Sequence, residues 1–150
     1  MAELTVSRHI NAPADVTFDV LTDARRYPGY TPIRRVEMER EGERAPNGEG
    51  AIRALHVVGP TIRERVIVYE RPSRFAFEVI SGAPGVSAYV GTQTYVAEAH
   101  GTRVTYRVEV DPAIPGTGLA VAATIRGAIE VLMKLVDREA QRRVAAGEGE

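Results

Sequence analysis

General acid or base chemistry near neutral pH would start from a histidine, and this chain has three, at positions 9, 56 and 100. His9 shares strand parity with Thr5 and Ser7 and is expected to face solvent, and His100 falls in the turn signal "AHGT". His56 is the remaining candidate. Its segment, "AIRALHVV", has two possible parities: Ala54, His56 and Val58 compete with Arg53, Leu55 and Val57 for the inner face. Glu64 lies between Ile62 and Val66 on the apolar side of "TIRERVIVYE", whose opposite parity holds Arg63, Arg65, Ile67 and Tyr69. Arg53, His56 and Glu64 are therefore the candidates for proton transfer. No HxH, HxxxH or HExxH spacing gathers metal ligands, and GxSxG, GxGxxG and GxxxxGK[ST] are absent, so neither a metal nor a cofactor is expected.

A second group suits binding better than catalysis. Tyr89, Gly91, Gln93 and Tyr95 alternate onto one face of their strand, and Tyr106 onto the same face of the next. Phenols combine flat apolar surface with a hydroxyl that needs a partner, and a buried amide left unpaired costs about 1 to 3 kcal/mol. Either these groups pair with one another or they orient a ligand bearing oxygen. Gly91 leaves room in that wall for a ligand or a helix. "RYPGYTP", residues 26–32, adds two further phenols to a segment whose prolines and glycine already provide turn chemistry.

The elements that must position these residues follow from periodicity. "LTVSRHI" reads as a strand and "NAPADVTFDVLTDA" as a helix, with Asn11 or Ala12 at its cap, Pro13 in its first turn, and "RYPGYTP" breaking it near a short second helix. From Ile33 to Asp111 six strands follow one another, separated by turns at "APNGEG", "GP", "RPS", "GAPG" and "HGT". Short connections require antiparallel neighbours. Phe75, Phe77 and Val79 share one face, as do Val104, Tyr106, Val108 and Val110. From about Leu119 to Val144 helical spacing returns, with Ala122, Ile125, Ile129, Leu132 or Met133, and Val136 on the apolar side. Arg126, Glu130, Lys134, Asp137 and Arg138 lie mostly away from it, and residues 146–150 are expected to fray. The fold class is α+β: a curved seven-stranded antiparallel sheet wrapped around the long C-terminal helix, in one domain spanning 1–150. An internal cavity between the two layers is a natural by-product.

Composition narrows the classes of function. A net charge of -1 offers no footprint for nucleic acid or an anionic membrane surface, and no apolar run reaches the roughly 18 residues of a membrane span. The absence of cysteine excludes disulfides and thiolate nucleophiles. With no signal segment at the start, a cytoplasmic protein is expected, monomeric or homodimeric, without stable membrane insertion.

Taken together, "VSRHINAPADVTFDVLTDARRYPGY", "TIRERVIVYERPSRFAFEV" and "GTRVTYRVEVDP" ahead of an amphipathic helix resemble the START/Bet v 1-like (SRPBCC) superfamily, in particular its bacterial polyketide cyclase/dehydrase and lipid-transport group. The resemblance covers nearly the whole chain. Its markers are Ile10, Ala12 and Pro13, then Asp23, Tyr27 and Pro28, then Glu70, Arg71 and Pro72 with Phe75 and Phe77, then Gly101, Thr102, Arg103 and Tyr106. It implies the helix-grip fold and a cavity for a hydrophobic or polycyclic small molecule such as a lipid, isoprenoid or polyketide. The expected ligand contacts are Tyr30, Phe75, Phe77, Tyr89, Gln93, Tyr95 and Tyr106, with Ile125 and Ile129 from the helix. Many members carry tryptophan where Tyr30 stands, and the resemblance puts Tyr30 at the cavity rim and Tyr27 beneath the long helix. A carrier or sensor is the first expectation. A cyclase/dehydratase using Arg53, His56, Glu64 or a tyrosine is the second, and an interaction module of the ribosome-associated type the third.

Overall fold

The computed structural model describes residues 1–147. β1 (Ala2–Ile10) leads into α1 (Ala14–Thr22) and a 3-10 helix (Ala24–Gly29). There follow β2 (Arg35–Arg40), β3 (Ile52–His56), β4 (Thr61–Glu70), β5 (Arg74–Ser81), β6 (Val86–Glu98), β7 (Gly101–Pro112) and α2 (Gly118–Ala145). The seven strands form one antiparallel sheet in the order β1-β7-β6-β5-β4-β3-β2, a meander closed on one side by the first strand. This is the helix-grip arrangement expected from the sequence.

The corner between β1 and α1 is held differently from the expectation. Pro13 occupies the helix cap, and no side chain bonds there. Asn11 instead gives its backbone N–H to Asp137 Oδ1 at 3.0 Å, while Arg8 Nη2 reaches Oδ2 of the same carboxylate at 3.2 Å. Asp137 was expected to lie away from the apolar face of α2; it is buried, because it joins that helix to the first turn of the chain. Thr102 completes the corner by donating to the Ala12 carbonyl at 2.8 Å.

β4 does not keep one parity. Its register against β5 shifts between Val66 and Val68, so Ile67 is extra, and Tyr69 comes round to the inner side, where it meets the Phe18 ring edge-on at 5.4 Å. Strict alternation had placed Tyr69 outside; the bulge reverses that. The core joins Phe18, Phe75, Phe77, Tyr95 and Tyr106 to the aliphatic residues of β1, β7 and α2. Gly91 leaves no gap in it. A Cβ there would stand 2.7 Å from the Phe77 ring, so that ring, rather than a ligand, occupies the space.

α2 packs against β1, β7 and α1. Between Gly118 and Ala128 it has no buried residue; full burial begins at Ile129 and recurs at Met133, Val136 and Ala140. In those first three turns Val121, Ala122 and Ile125 pack against the core while staying half-buried, and Ala120, Ala123, Gly127 and Ala128 are exposed. Residues 146–147 form an exposed turn, and the remainder of the tail expected to fray lies outside the described residues.

Candidate functional site

The last carbonyls of a helix have no partner inside it, and at the end of α1 they point into protein. Three side chains satisfy them. The Tyr30 hydroxyl donates to the Val20 carbonyl at 2.6 Å, the Tyr27 hydroxyl to Leu21 at 2.5 Å, and Arg53 Nη1 to Thr22 at 2.7 Å. The two phenols of "RYPGYTP" are thereby accounted for. Tyr27 packs with Ala24 and Leu55 in a separate small cluster, and its ring lies 5.8 Å from the Arg53 guanidinium carbon.

Arg53 is the pivot of the site. β3 takes the parity that turns Arg53 and Leu55 inward, and antiparallel register sets Glu64 of β4 directly opposite Arg53. Nη2 of Arg53 meets Glu64 Oε1 at 2.7 Å, and both side chains are buried. Burial opposes the guanidinium charge, but Tyr27 and the Glu64 carboxylate outweigh it and hold the Arg53 pKa above its ordinary value. Nε of Arg53 is buried without a partner.

The same parity turns His56 outward. Its ring bonds Glu37 at 2.7 Å and Thr61 at 3.1 Å on the outer surface, so it contributes nothing to the interior. His9 contacts Glu98, also on the outer side.

Beside the ion pair lies a run of phenols. Register places Gln93 of β6 between Phe75 of β5 and Tyr106 of β7. The Tyr95 hydroxyl donates to Gln93 Oε1 at 2.6 Å, Gln93 in turn interacts with the Tyr106 hydroxyl, and Tyr106 with that of Tyr89. Burial, the largest influence on all three phenols, raises their pKa values above the ordinary 10.0. At neutral pH they are protonated and serve as hydrogen-bond donors.

Together these groups bound a cavity of about 90 Å³. Arg53, Glu64, Gln93 and Tyr106 form its polar side; Leu21, Tyr27, Ile33, Leu55, Phe77 and Leu132 form the rest. This space has room for a few waters and falls well short of the ~300 Å³ at which pockets for larger molecules begin. An internal cavity is present, as expected, and the aromatic core fills much of the space around it.

Of the expected contacts, Phe77, Gln93 and Tyr106 border the cavity directly. Phe75 lies under the Arg53 guanidinium, 5.4 Å from ring centroid to carbon, and Tyr89 stacks on Phe77 at 5.9 Å. Tyr95 is one hydrogen bond behind, and Ile129 is buried in the core. Ile125 instead faces a surface groove with Pro84 and Val86. Tyr30 is half-buried, with its hydroxyl committed to Val20. Leu21 and Leu132 lie on the apolar sides of their helices, Leu55 depends on the parity of β3, which alternation leaves open, and Ile33 sits in the irregular exit from "RYPGYTP", where no repeat marks it.

An antiparallel sheet gripping one long helix, with a small polar-floored cavity between them, defines a helix-grip protein of the START/Bet v 1 type. The family model described as "Polyketide cyclase / dehydrase and lipid transport" matches residues 1–141, and the chain belongs to that family. No curated protein matches it in sequence. Among solved structures it is similar to a START superfamily protein from Mycobacterium smegmatis (TM-score 0.82, 14% identity, covering 95% of this chain and 99% of that one). It is also similar to Ara h 8.0201 (TM-score 0.78, 10% identity, 93% and 97%). A third is the Zhui aromatase/cyclase from Streptomyces sp. R1128 (TM-score 0.75, 21% identity, 99% and 98%). No described helix is long and apolar enough to cross a membrane.

Proposed function

We propose that the protein is a carrier or sensor that binds a hydrophobic small molecule carrying an oxygen-bearing end, of the lipid, isoprenoid or polyketide class, in the space between the sheet and α2. One observation carries this reading: an apolar-walled cavity whose floor presents Arg53, with Nε unpartnered, beside Gln93 and Tyr106. A carbonyl or hydroxyl oxygen placed there would accept from Arg53 or the phenols, and its hydrocarbon part would lie along Phe77, Leu55 and Leu132. Admission of such a molecule requires the cavity to enlarge. The first half of α2 supports that movement, since ahead of Ile129 lifting it uncovers the half-buried Val121, Ala122 and Ile125 but no fully buried residue.

Displacement of an apolar fluorescent probe from the purified protein, with native mass spectrometry for material that copurifies, tests the proposal. Leu132→Trp fills the wall of the cavity and is expected to abolish probe binding while the protein stays folded. Undiminished binding in that variant, or none in the native protein, overturns it.

A cyclase/dehydratase is the second reading, favoured by the chain of protonated phenols from Tyr89 through Tyr106 and Gln93 to Tyr95. Such a chain polarises a ketone oxygen well. The base is harder to supply, because His56 is outside and Glu64 is held by Arg53. Turnover of a poly-ketone analogue that Glu64→Gln abolishes without loss of binding would favour the enzyme over the carrier.

A further inference from the structure

On the far side of α1 from this cavity, a surface cleft of about 350 Å³ opens where α1, the 3-10 helix, the β2–β3 loop and the last turn of α2 converge. Arg143 reaches it from α2. The residue is only 3% exposed, its Nε donates to Glu139 at 3.0 Å, and its Nη2 is buried without a partner. Glu139 is already gripped through both oxygens by Arg142 at 2.9 Å, so the carboxylate is shared between two cations and positive charge is left at Arg143. Asn47 lies in the same lining, from the β2–β3 loop. Its Nδ2 donates to Asp23 at 3.1 Å, and its Oδ1 is buried with no donor. Two other charges there are more fully occupied: Asp19 takes both arms of Arg71 at 2.8 Å, and Arg25 is bonded to Glu41.

An unanswered cationic donor and an unanswered acceptor beside a carboxylate thus share one cleft, with Val16 and Tyr69 supplying its apolar surface. Each unanswered group costs stability that a complementary molecule would recover. We infer that this cleft is a second binding site, distinct from the cavity behind α2, for a small amino carboxylate with an apolar side chain. Nη2 of Arg143 and Oδ1 of Asn47 are closed to solvent as the side chains stand, so each turns toward the cleft on binding: the carboxylate would be received by the Arg143 guanidinium, the ammonium by Asn47 Oδ1 and Asp23, and the apolar side chain would lie against Val16 and Tyr69. Neither charged end alone suffices, because each leaves one of the two groups unanswered.

Nitrogen-labelled protein titrated with L-phenylalanine tests this by NMR. Saturable amide shifts are expected around residues 16–26, 46–47, 69 and 143. Phenylpropionate, which lacks the amine, and phenethylamine, which lacks the carboxylate, should each bind about tenfold more weakly, the loss of roughly one charge-assisted hydrogen bond. Arg143→Gln should reduce phenylalanine to the level of phenethylamine. Should that variant fold poorly, Asn47→Ala and the two control ligands on the native chain decide the matter. The inference is overturned by the absence of saturable shifts, by equal binding of phenylalanine and phenethylamine, or by shifts centred on Arg53 and Gln93. Shifts at Arg53 and Gln93 would report on the inner cavity itself; the other outcomes leave probe displacement from that cavity untouched.

Discussion

The Tyr30 hydroxyl donates to the Val20 carbonyl at 2.6 Å, one member of a trio in which Tyr27 and Arg53 satisfy the next two carbonyls of α1. A phenol fixed to the backbone in this way is a helix cap before it is a gate. Tyr30→Phe keeps the ring and removes the donor, leaving a carbonyl unpaired in a half-buried setting. The expected cost is about 1 to 2 kcal/mol in urea unfolding. The rate of probe release from the cavity should hardly change, because the ring that fills space is retained.

Arg53 and Glu64 form the buried ion pair at the cavity floor, and the cost of breaking it depends on which partner is left. Arg53→Met strands a carboxylate inside and removes the Thr22 cap, so a loss of about 3 to 5 kcal/mol is expected. Adding Glu64→Leu removes the stranded charge. The double variant should therefore be more stable than Arg53→Met alone, as read from denaturation midpoints, although it no longer holds an oxygen-bearing ligand. A double variant that is less stable than the single one would mean that Glu64 has a further buried partner.

Much of this arrangement was legible before the structure. The inward face of β5 to β7 follows from simple alternation, because β5 with β6, and β6 with β7 from Ala88 onward, run in regular register, and Gln93 and Tyr106 stand out as polar groups on it. Alternation fails where an extra residue enters: the bulge at Ile67 brings Tyr69 inside, and nothing in "RVIVYE" announces it. Parity in β3 stays ambiguous because both faces of "RALH" carry one polar and one apolar residue; Glu64 on the facing strand decides it, a fact available only once the pairing is known. Asp137 has the same character. A carboxylate among charged neighbours on a helix reads as exposed until the β1–α1 corner, distant in sequence, is seen to need an acceptor. The size of the cavity is illegible for a different reason, since it depends on how the Phe77 ring lies, and rotamers leave no trace in residue periodicity.

That ring gives a direct test. The Phe77 ring rests on the backbone of Gly91, its cross-strand partner, and a methyl group there would stand 2.7 Å from Cε1 and 2.8 Å from Cζ. Gly91→Ala must push the ring toward the cavity that it borders. Overpacking of this kind costs about 1 to 3 kcal/mol. Probe affinity should fall along with the melting temperature, whereas a substitution on the outer face of β6, such as Thr92→Ala, should leave affinity alone. Unchanged affinity in Gly91→Ala would place the ligand away from Phe77.

Asp137 contributes to the acid sensitivity of the fold. Burial works against its charge, but the Asn11 N–H, Gln141 and Arg8 overcome that penalty and hold the carboxyl below the ordinary aspartate pKa. A depressed folded-state pKa means that the unfolded chain takes up the proton first. The stabilisation is therefore full above the unfolded value of about 3.9 and is lost as pH falls through the lower folded value. Asp137→Asn removes the charge but keeps an oxygen for Asn11, so about 1 to 2 kcal/mol should be lost at neutral pH, where the native carboxylate is ionised. The difference between native protein and variant should then shrink as the pH is lowered from about 5 towards 3, and the acid limb of the variant should be shallower. It should not vanish, because Glu139, held at about 2 chiefly by the Arg142 hydrogen bonds, still contributes. Urea midpoints measured across this range check the sign: a gap that widens on acidification would mean that Asp137 is protonated in the native fold and that the α2 to β1 corner is held by something other than its charge.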